Sequence, residues 1–261
     1  HTRDRRQRQM CIRDSRTGIS KRTKSIKLMK LNKTSIGGIE FFYREGFSDI
    51  KTFIEVLSNQ SYLKKGMEVL NNESWLDCGG NVGAFSLLAA SKGASVITYE
   101  PDPYNCELIE KNAKLNGFQN AIKVKQAALV HDFRKETTLS IAKDGNVWRN
   151  TIMKKKSNKA IKVPCLNFDE QAVLADNCKM DIEGAEIPIL THTKSNFSKL
   201  VYEWSFDIDP SLPKFWNVLD KQKLRYKVDA PYKTTRYEER DVNMWGARWF
   251  PPCIMVYCFK K

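Results

Sequence analysis

The chain has 261 residues, 41% of them hydrophobic and 28% charged, with a net charge of +14 at pH 7. That length suits one domain with a sizeable core, and no apolar run approaches the ~20 residues a membrane-spanning helix needs. The positive charge does not argue for a nucleic-acid-binding domain, because residues 1–33 hold 12 Lys/Arg against Asp4 and Asp14, or +10, which leaves only +4 on residues 34–261.

The chain opens on this polar, basic tail, residues 1–33, whose composition predicts disorder. Within it "RQRQMCIRDSR", residues 6–16, resembles translated sequencing-library adapter. Residues 1–16 are therefore set aside as foreign to the natural protein. The other reading of the tail is a basic nucleic-acid-binding arm. No apolar signal region stands at the N-terminus. The seven cysteines are odd in number and form no C-x-x-C pair. Reduced thiols in a cytoplasmic protein are expected, with no metal site and no disulfide framework.

The domain proper is expected over residues 34–261. "IGGIEFFY" predicts a short β element. A helix follows, with Ser48 as N-cap and Ile50, Phe53, Ile54 and Leu57 on one face. "SWLDC", residues 74–78, predicts a strand, Gly79–Gly83 a turn, "AFSLLAASKG" a helix and "ASVITYE" a second strand. "DPYNCELIEKNAKLNG" predicts a helix with Asp102 as N-cap, Pro103 in its first turn and Gly117 at its end. "AIKVKQAALV", residues 121–130, reads as a single third strand. Residues 131–163 predict an antiparallel excursion built on "TTLSIA" and "KAIKVPC", with a mobile tip at "KDGN". Then come a short helix at "NFDEQAVLA", a strand and turn at "CKMDIEG", and a helix at "AEIPIL" with Pro188 in its first turn. "KLVYEWSF" predicts a strand, "SLPKFWNVLDKQ" a helix, and "RYKVDA" and "CIMVYCF" two closing strands. The alternation predicts an α/β fold, a mostly parallel Rossmann-like sheet with helices on both faces. The long helix-free connection between the last two strands predicts an antiparallel C-terminal edge strand.

The first strand empties into Asp77-Cys78-Gly79-Gly80-Asn81-Val82-Gly83. No Lys-Ser/Thr follows these glycines, which excludes a P-loop. In the register G-x-G-x-x-G, Cys78 falls where a dinucleotide turn needs its first glycine. The D-x-G-x-N-x-G pattern that remains suits S-adenosylmethionine, a ligand with an ammonium, a carboxylate and a sulfonium but no phosphate. Asp77, at a strand's carboxyl end, attracts the cationic part, while Gly79 and Gly80 let the backbone approach the ligand. The helix that starts past Asn81, Val82 and Gly83 offers free N–H groups to the carboxylate. Glu100 ends the next strand, where it accepts the ribose hydroxyls, and Pro101 and Asp102 continue that wall. Adenine is expected beside Ala127, Ala128 and Leu129, with His131 following as a loop residue whose role as a base stays open.

With these motifs in place, the sequence resembles the FkbM-type methyltransferases, a branch of the class I S-adenosylmethionine-dependent enzymes. "YREGFSDIKTFIEVL…SY" is similar to that family's lead-in, "WLDCGGNVGAFSL" to its first motif and "YEPDPYNCELIEKNAKLNG" to its second. "VPCLNFDE" is similar to the segment before its fourth strand, with Phe168-Asp169 where the family usually has Leu-Asp, and "CKMDIEGAE" is the most specific piece. The resemblance covers about residues 40–205. It implies a seven-stranded class I fold and methyl transfer, commonly to hydroxyl groups of sugars or other small acceptors.

Such a transfer needs a positioned acceptor and a group to take its proton. Asp181, just past a strand, is expected beside the transferring methyl, within reach of both cofactor and acceptor. Glu183 in the turn is expected as base or acceptor anchor, Glu203 at the end of "LVYE" faces the acceptor, and Glu186 caps its helix. Two other functions stay open. One is methylation of RNA ribose, suggested by the five lysines of "MKKKSNKAIK" and by Trp148, Trp245 and Trp249 as stacking surfaces. The other is a non-catalytic S-adenosylmethionine-binding module, against which the intact Asp77, Gly79, Gly83, Glu100 and Asp181 speak. Residues 206–261, rich in Trp, Tyr and Arg, are expected to shape the acceptor pocket.

Overall fold

Gly37 and Gly38, at φ 59° and 82°, turn the first expected β element into a hairpin of β1 (Leu31–Ile36) and β2 (Ile39–Arg44), because a tight hairpin turn needs positive φ at its centre. The computed structural model describes residues 30–64, 66–142, 145, 147–153, 159–205, 208–229 and 253–261. β1 begins three residues inside the stretch assigned to the tail. The rest of that tail, the "KDGN" tip apart from Gly145, Lys154–Lys156, the Trp148 side chain, Trp245 and Trp249 lie outside the described residues.

After the hairpin come α1 (Asp49–Phe53) and a π-helical turn, Ile54–Ser58. Ser48 precedes α1 but does not cap it: its backbone is already helical and its buried hydroxyl has no partner. The wide π turn also breaks the expected apolar face. Phe53, Val56 and Leu57 are buried, whereas Ile54 is 44% exposed, because the extra residue in the turn rotates the following side chains.

The central elements follow as β3 (Ser74–Cys78), α2 (Ala84–Ser91), β4 (Ser95–Tyr99), α3 (Pro103–Leu115) and β5 (Ile122–Lys125). The expected third strand ends there. Its second half is a separate strand, β6 (Ala128–Val130), which leaves the main sheet and joins β7 (Glu136–Ser140) and β8 (Ala160–Asn167) in a small side sheet ordered β6-β8-β7. Gln126 and Ala127 form the break, and the backbone turns at Ala127, whose N–H bonds back to the Lys125 carbonyl at 3.0 Å. The β7–β8 pair is antiparallel, as expected.

The chain then runs through α4 (Phe168–Ala172), β9 (Asn177–Met180), α5 (Glu186–His192), β10 (Lys199–Ser205), α6 (Leu212–Arg225), β11 (Tyr226–Asp229) and β12 (Cys253–Lys260). Asn167 caps α4 by accepting from the Glu170 N–H, and Asp102 caps α3 by accepting from Tyr104. The main sheet has seven strands in the order β11-β12-β10-β9-β3-β4-β5. β12 runs antiparallel to both neighbours, and the other pairings, from β10 through β5, are parallel. The antiparallel strand exists, but one place in from the edge, and β11 is the edge. Their sequences explain the placement. "CIMVYCF" is a run buried on both faces and suits an inner position, while the four-residue "YKVD" is half exposed and blunts the edge.

Two apolar layers close over the sheet. Trp75, Phe85, Val96, Ile109 and Phe41 belong to one, and Leu76, Cys78, Met180, Tyr202 and Trp204 to the other. The alternation of Trp75 and Leu76 along β3 is the period of two that a strand buried on both faces requires. Among the described residues no helix is long and apolar enough to cross a membrane. The described cysteines are all free thiols, including Cys78 and Cys178, whose sulfurs lie 3.8 Å apart.

The N-terminal hairpin is fastened to α3 by side chains. Asn112 and Asn116 each exchange two hydrogen bonds with the backbone of β2, at Phe42 and Glu40 respectively, over 2.7–3.2 Å. Two asparagines four apart on a helix match two alternate residues of a strand, so α3 completes the open edge of β2. Phe41 points the other way and stacks on Phe53 with ring centroids 3.8 Å apart. Phe41→Ala is expected to cost about 3–5 kcal/mol, and urea unfolding should remain a single transition because hairpin and sheet share one core.

Candidate functional site

In the main sheet the chain leaves β3 for β4 on one side and reaches β9 on the other, so the crevice at the carboxyl ends of β3 and β9 is a topological switch point. The parallel register places Asp77 beside Lys179. Both side chains are buried, and Asp77 Oδ1 lies 3.1 Å from Lys179 Nζ in an ionic contact that is not an aligned hydrogen bond. Asp77 Oδ2 accepts from Ser86 at 2.7 Å, and Lys179 donates to the Gly79 carbonyl at 2.7 Å. The Lys179 ammonium also stands 5.0 Å from the centre of the Tyr62 ring. Burial alone would pull this amine down, but the charges of Asp77 and Asp181 outweigh burial and hold it above its usual value.

Asp77 is therefore already neutralised and does not line the cavity. Its expected direct contact with a cationic ligand is replaced by a structural role, fixing the turn through Lys179. The glycines also serve the protein's own packing. A Cβ on Gly79, at φ 84°, would meet the Asp181 carbonyl oxygen at 1.8 Å, and one on Gly80 would meet Thr98 Oγ1 at 2.2 Å. The close approach that glycine permits here is of β3's turn to β9 and β4. Val82 is buried in the core, and Gly83 faces Ile109.

The cavity that remains encloses about 960 Å³, counting its open mouth, and is lined by Gly79, Asn81, Glu100, Pro101, Ala128, Asp181, Glu183 and Glu203 from the sequence expectations. That set comes together as expected. Gly80, Val82, Gly83 and Asp102 stay outside the lining, with Asp102 engaged as the helix cap and accepting from Asn150 at 3.2 Å. One part of the wall is apolar, made by Ala127, Ala128, Leu129, Leu139, Val147 and Ile152. His131 stands outside it, its ring stacked on that of His192 at 4.5 Å.

The polar part of the wall is acidic. Glu100 is buried, with Oε2 accepting from the Asn81 N–H at 2.7 Å and Oε1 from the Asp102 N–H at 2.8 Å. Burial, and then the charge of Asp102, push it up to about 8. Asp181 receives the Tyr62 hydroxyl at 2.5 Å on Oδ2, while its shielded Oδ1 has no partner. Burial and the charge of Asp181 push Glu203 up to about 9 and raise Glu55 as well. Cys253 hydrogen-bonds to Glu203, and its thiol is pushed up by burial and by that neighbour. Glu186 is fully buried and accepts from the Ile182 and Gly184 N–H groups at 2.7 and 2.8 Å, which fixes the turn that carries Glu183. Glu183 itself sits at φ 53°, and its carbonyl accepts from Thr151 Oγ1 at 2.6 Å.

Sequence reasoning missed Tyr62, Glu55, Lys179 and Cys253. A signal existed for one of them: a lysine between the apolar Cys178 and Met180 of a central strand needs a buried counter-charge. Tyr62 and Glu55 arrive from the N-terminal extension through a π turn that no local pattern announces.

The match to a family follows from the stretch that builds this crevice. The model of the methyltransferase FkbM domain matches residues 77–228, more than half of the chain. The chain belongs to the FkbM methyltransferase family. S-adenosylmethionine is its cofactor. No curated protein matches the sequence. Among solved structures, the methyltransferase FkbM from Methylobacillus flagellatus KT is similar at 17% identity and a TM-score of 0.45, over 79% of this chain and 48% of that one. This FkbM chain thus spans about half the length of that relative. P. horikoshii TYW2 in complex with MeSAdo is similar at 15% identity and a TM-score of 0.45, over 87% and 69% of the two chains. M. jannaschii TYW2 in complex with AdoMet is similar at 15% and 0.44, over 88% and 85%. Likenesses this distant carry no argument about substrate.

The residues of this FkbM domain fit the cofactor on chemical grounds. Asn81 Oδ1 and Asp181 Oδ1 are shielded from solvent yet unpartnered, and each suits a hydroxyl or ammonium donor. The charge of Asp181 raises Glu55 and Glu203, and Glu55 adds to the rise of Glu203, a repulsion that a sulfonium cation would relieve. Among the described residues no cluster fits a metal ion. Of the lysine run, Lys159 and Lys162 are described, and Lys162 is paired with Glu136.

Two outcomes test this site. Gly79→Ala should abolish cofactor binding in titration calorimetry and lower the melting temperature, because the new Cβ has no space and the φ is unfavourable. The pH dependence has a definite sign. Glu100, Glu186 and Glu203 hold protons in the fold up to about 8, 8 and 9, where an unfolded chain has already lost them. The folded state then binds more protons, so stability falls as pH rises from the ordinary carboxylate range to about 9 and levels beyond it. Ligand-free protein should melt progressively lower between about pH 5 and 9, and Glu203→Gln should flatten that slope.

Proposed function

We propose that this chain is an S-adenosylmethionine-dependent O-methyltransferase acting on a hydroxyl of a sugar, a glycan or another small acceptor. One observation carries the reading: Asp181, at the carboxyl end of β9, has Oδ2 held by the Tyr62 hydroxyl and a shielded Oδ1 with no partner, inside a cavity also lined by Glu203 and Glu183. When bound, S-adenosylmethionine supplies a methyl group already activated on a positively charged sulfur, which leaves the protein to orient the acceptor and exclude water.

Glu100, once ionised, accepts the ribose hydroxyls on the lone pairs its two backbone donors leave open, and Pro101 continues that wall. Ala127, Ala128 and Leu129 form part of the apolar surface for adenine, and Asn81 offers Oδ1 to a polar group of the donor. Asp181 Oδ1 takes the proton of the acceptor hydroxyl as it attacks, a task for which a carboxylate in a water-poor cleft is suited. Tyr62 fixes the other oxygen and so the aim of the first. Glu203, protonated up to about 9, donates to the acceptor at neutral pH. Glu183 anchors a second hydroxyl. Asp77 and Lys179 hold the Gly79 turn against β9. A cytoplasmic location accords with the unpaired thiols of the described cysteines.

The test is transfer of a labelled methyl group to a panel of hydroxylated sugars, glycans and small alcohols. The expected product is an ether that survives mild alkali, and Asp181→Asn should lower turnover by about 10²–10⁴-fold with donor affinity changed only a few fold. An alkali-labile ester, an N-methyl product, or full turnover by Asp181→Asn would overturn the assignment.

A further inference from the structure

Between β7 and β8 the chain passes along the cofactor crevice, and two consecutive residues there, Asn150 and Thr151, bond to opposite sides of it. Asn150 Nδ2 donates to Asp102 Oδ2 at 3.2 Å, and its Oδ1 accepts from the Ala142 N–H at 2.9 Å. A carboxylate only accepts and a backbone N–H only donates, so the amide has one permitted orientation. Thr151 Oγ1 donates to the Glu183 carbonyl at 2.6 Å and accepts from the Met153 N–H at 3.0 Å. Thr151 is itself buried, and its backbone exchanges two hydrogen bonds with Ser140 at the end of β7, at 2.8 and 3.2 Å.

The two anchor points belong to different walls. Asp102 follows β4 and Glu183 follows β9, and β3 lies between those strands. Neighbouring strands lie about 4.8 Å apart, so the anchors stand on strands about twice that far apart, on either side of the glycine turn. The cavity is lined by Gly79 and Asn81 of that turn and by Val147, Asn150 and Ile152 of the β7–β8 connection. Each anchor also acts on a cavity residue. The Asp102 N–H donates to Glu100 Oε1 at 2.8 Å. Glu183 stands at φ 53°, a conformation that a residue other than glycine keeps only where its surroundings fix it, and the Thr151 hydroxyl is one of the groups that do so.

We propose that Asn150 and Thr151 are positioning residues that bridge the cofactor crevice: they tie the Glu100–Asp102 wall to the Glu183 turn and so hold S-adenosylmethionine against the glycine turn. The inference rests on the reading of this cavity as the donor site, with Glu100 at the ribose. Without the bridge the two walls move independently, and a bound donor escapes faster. Its entry is not slowed, so the loss of affinity lies in the release rate.

The experiment follows release of tritium-labelled S-adenosylmethionine, chased with excess unlabelled donor, at a temperature well below the melting point of every variant. Asn150→Asp sets a second carboxylate against Asp102 and should speed release about 5–20-fold, the scale of a hydrogen bond to a charged group. Adding Asp102→Asn exchanges the amide and the carboxylate and keeps a good cap on α3, so the exchanged pair should return release to within twofold of the unaltered chain. Thr151→Val should speed release about 3–10-fold, whereas Thr151→Ser, which keeps the hydroxyl, should not. A merely structural role would lower the melting temperature and leave release from the folded protein unchanged.

Release within twofold of the unaltered chain in either Asn150→Asp or Thr151→Val would overturn the proposal, as would a fast release by Asn150→Asp that the exchange with Asp102→Asn leaves in place. A Glu100→Gln chain that binds the donor normally would instead remove the reading of the site itself, and the proposal with it.

Discussion

The site is organised around one buried ion pair, Asp77 on β3 with Lys179 on β9. Two charges inside a sheet are costly to desolvate, and three further contacts offset that cost. Ser86 donates to Asp77, the Gly79 carbonyl accepts from Lys179, and the Tyr62 ring lies against the ammonium. Each contact ties a different segment to the strand ends: α2, the glycine turn and the N-terminal extension. The turn that carries Asn81 and the tyrosine that aims Asp181 are thus set by the same pair, although neither charge lines the cavity.

Lys179 is in contact with Asp77 and acts on Asp181 and Glu55 only through space, so the acids that line the cavity also act on one another. Burial and the charge of Asp181 drive Glu203 and Glu55 upward, and burial with the charge of Asp102 does the same to Glu100. A ligand carrying a fixed positive charge relieves that repulsion, whereas its neutral product after methyl loss would not. The family assignment and the electrostatics of the cavity therefore agree on independent grounds. The same reasoning separates the roles of the carboxylates. Asp181, held by Tyr62 and left with one open oxygen, suits a proton acceptor, whereas Glu203, pushed up to about 9, suits a donor, and Glu186 fixes the turn.

Where sequence reasoning and structure part, the difference is one of context. The D-x-G-x-N-x-G turn identified the cofactor class correctly, yet Gly79 and Gly80 are already required by the close approach of Asp181 and Thr98, and Asp77 faces Lys179. A pattern records which residue types occur at a turn but not which neighbour demands them. The single strand expected at residues 121–130 is two strands in different sheets, because the same apolar composition suits either and only the bend at Ala127 separates them. Ile54 appears on the buried face under a 3.6-residue period and leaves it under a π turn.

By itself the sequence determined the order of strands and helices, the mostly parallel sheet, the S-adenosylmethionine turn and most of the acids at the strand ends, because these depend on local periodicity and on residues close together in the chain. Tertiary structure alone decided that Asp77 is paired with Lys179, that Tyr62 holds Asp181, that Glu55 and Cys253 join the pocket, and that Arg44 of the hairpin donates to Asn105 of α3. Those contacts join residues 61 to 119 positions apart where the separation is greatest. They arise from strand register and from the way a helix face meets a strand edge, neither of which leaves a mark in any short stretch of the chain.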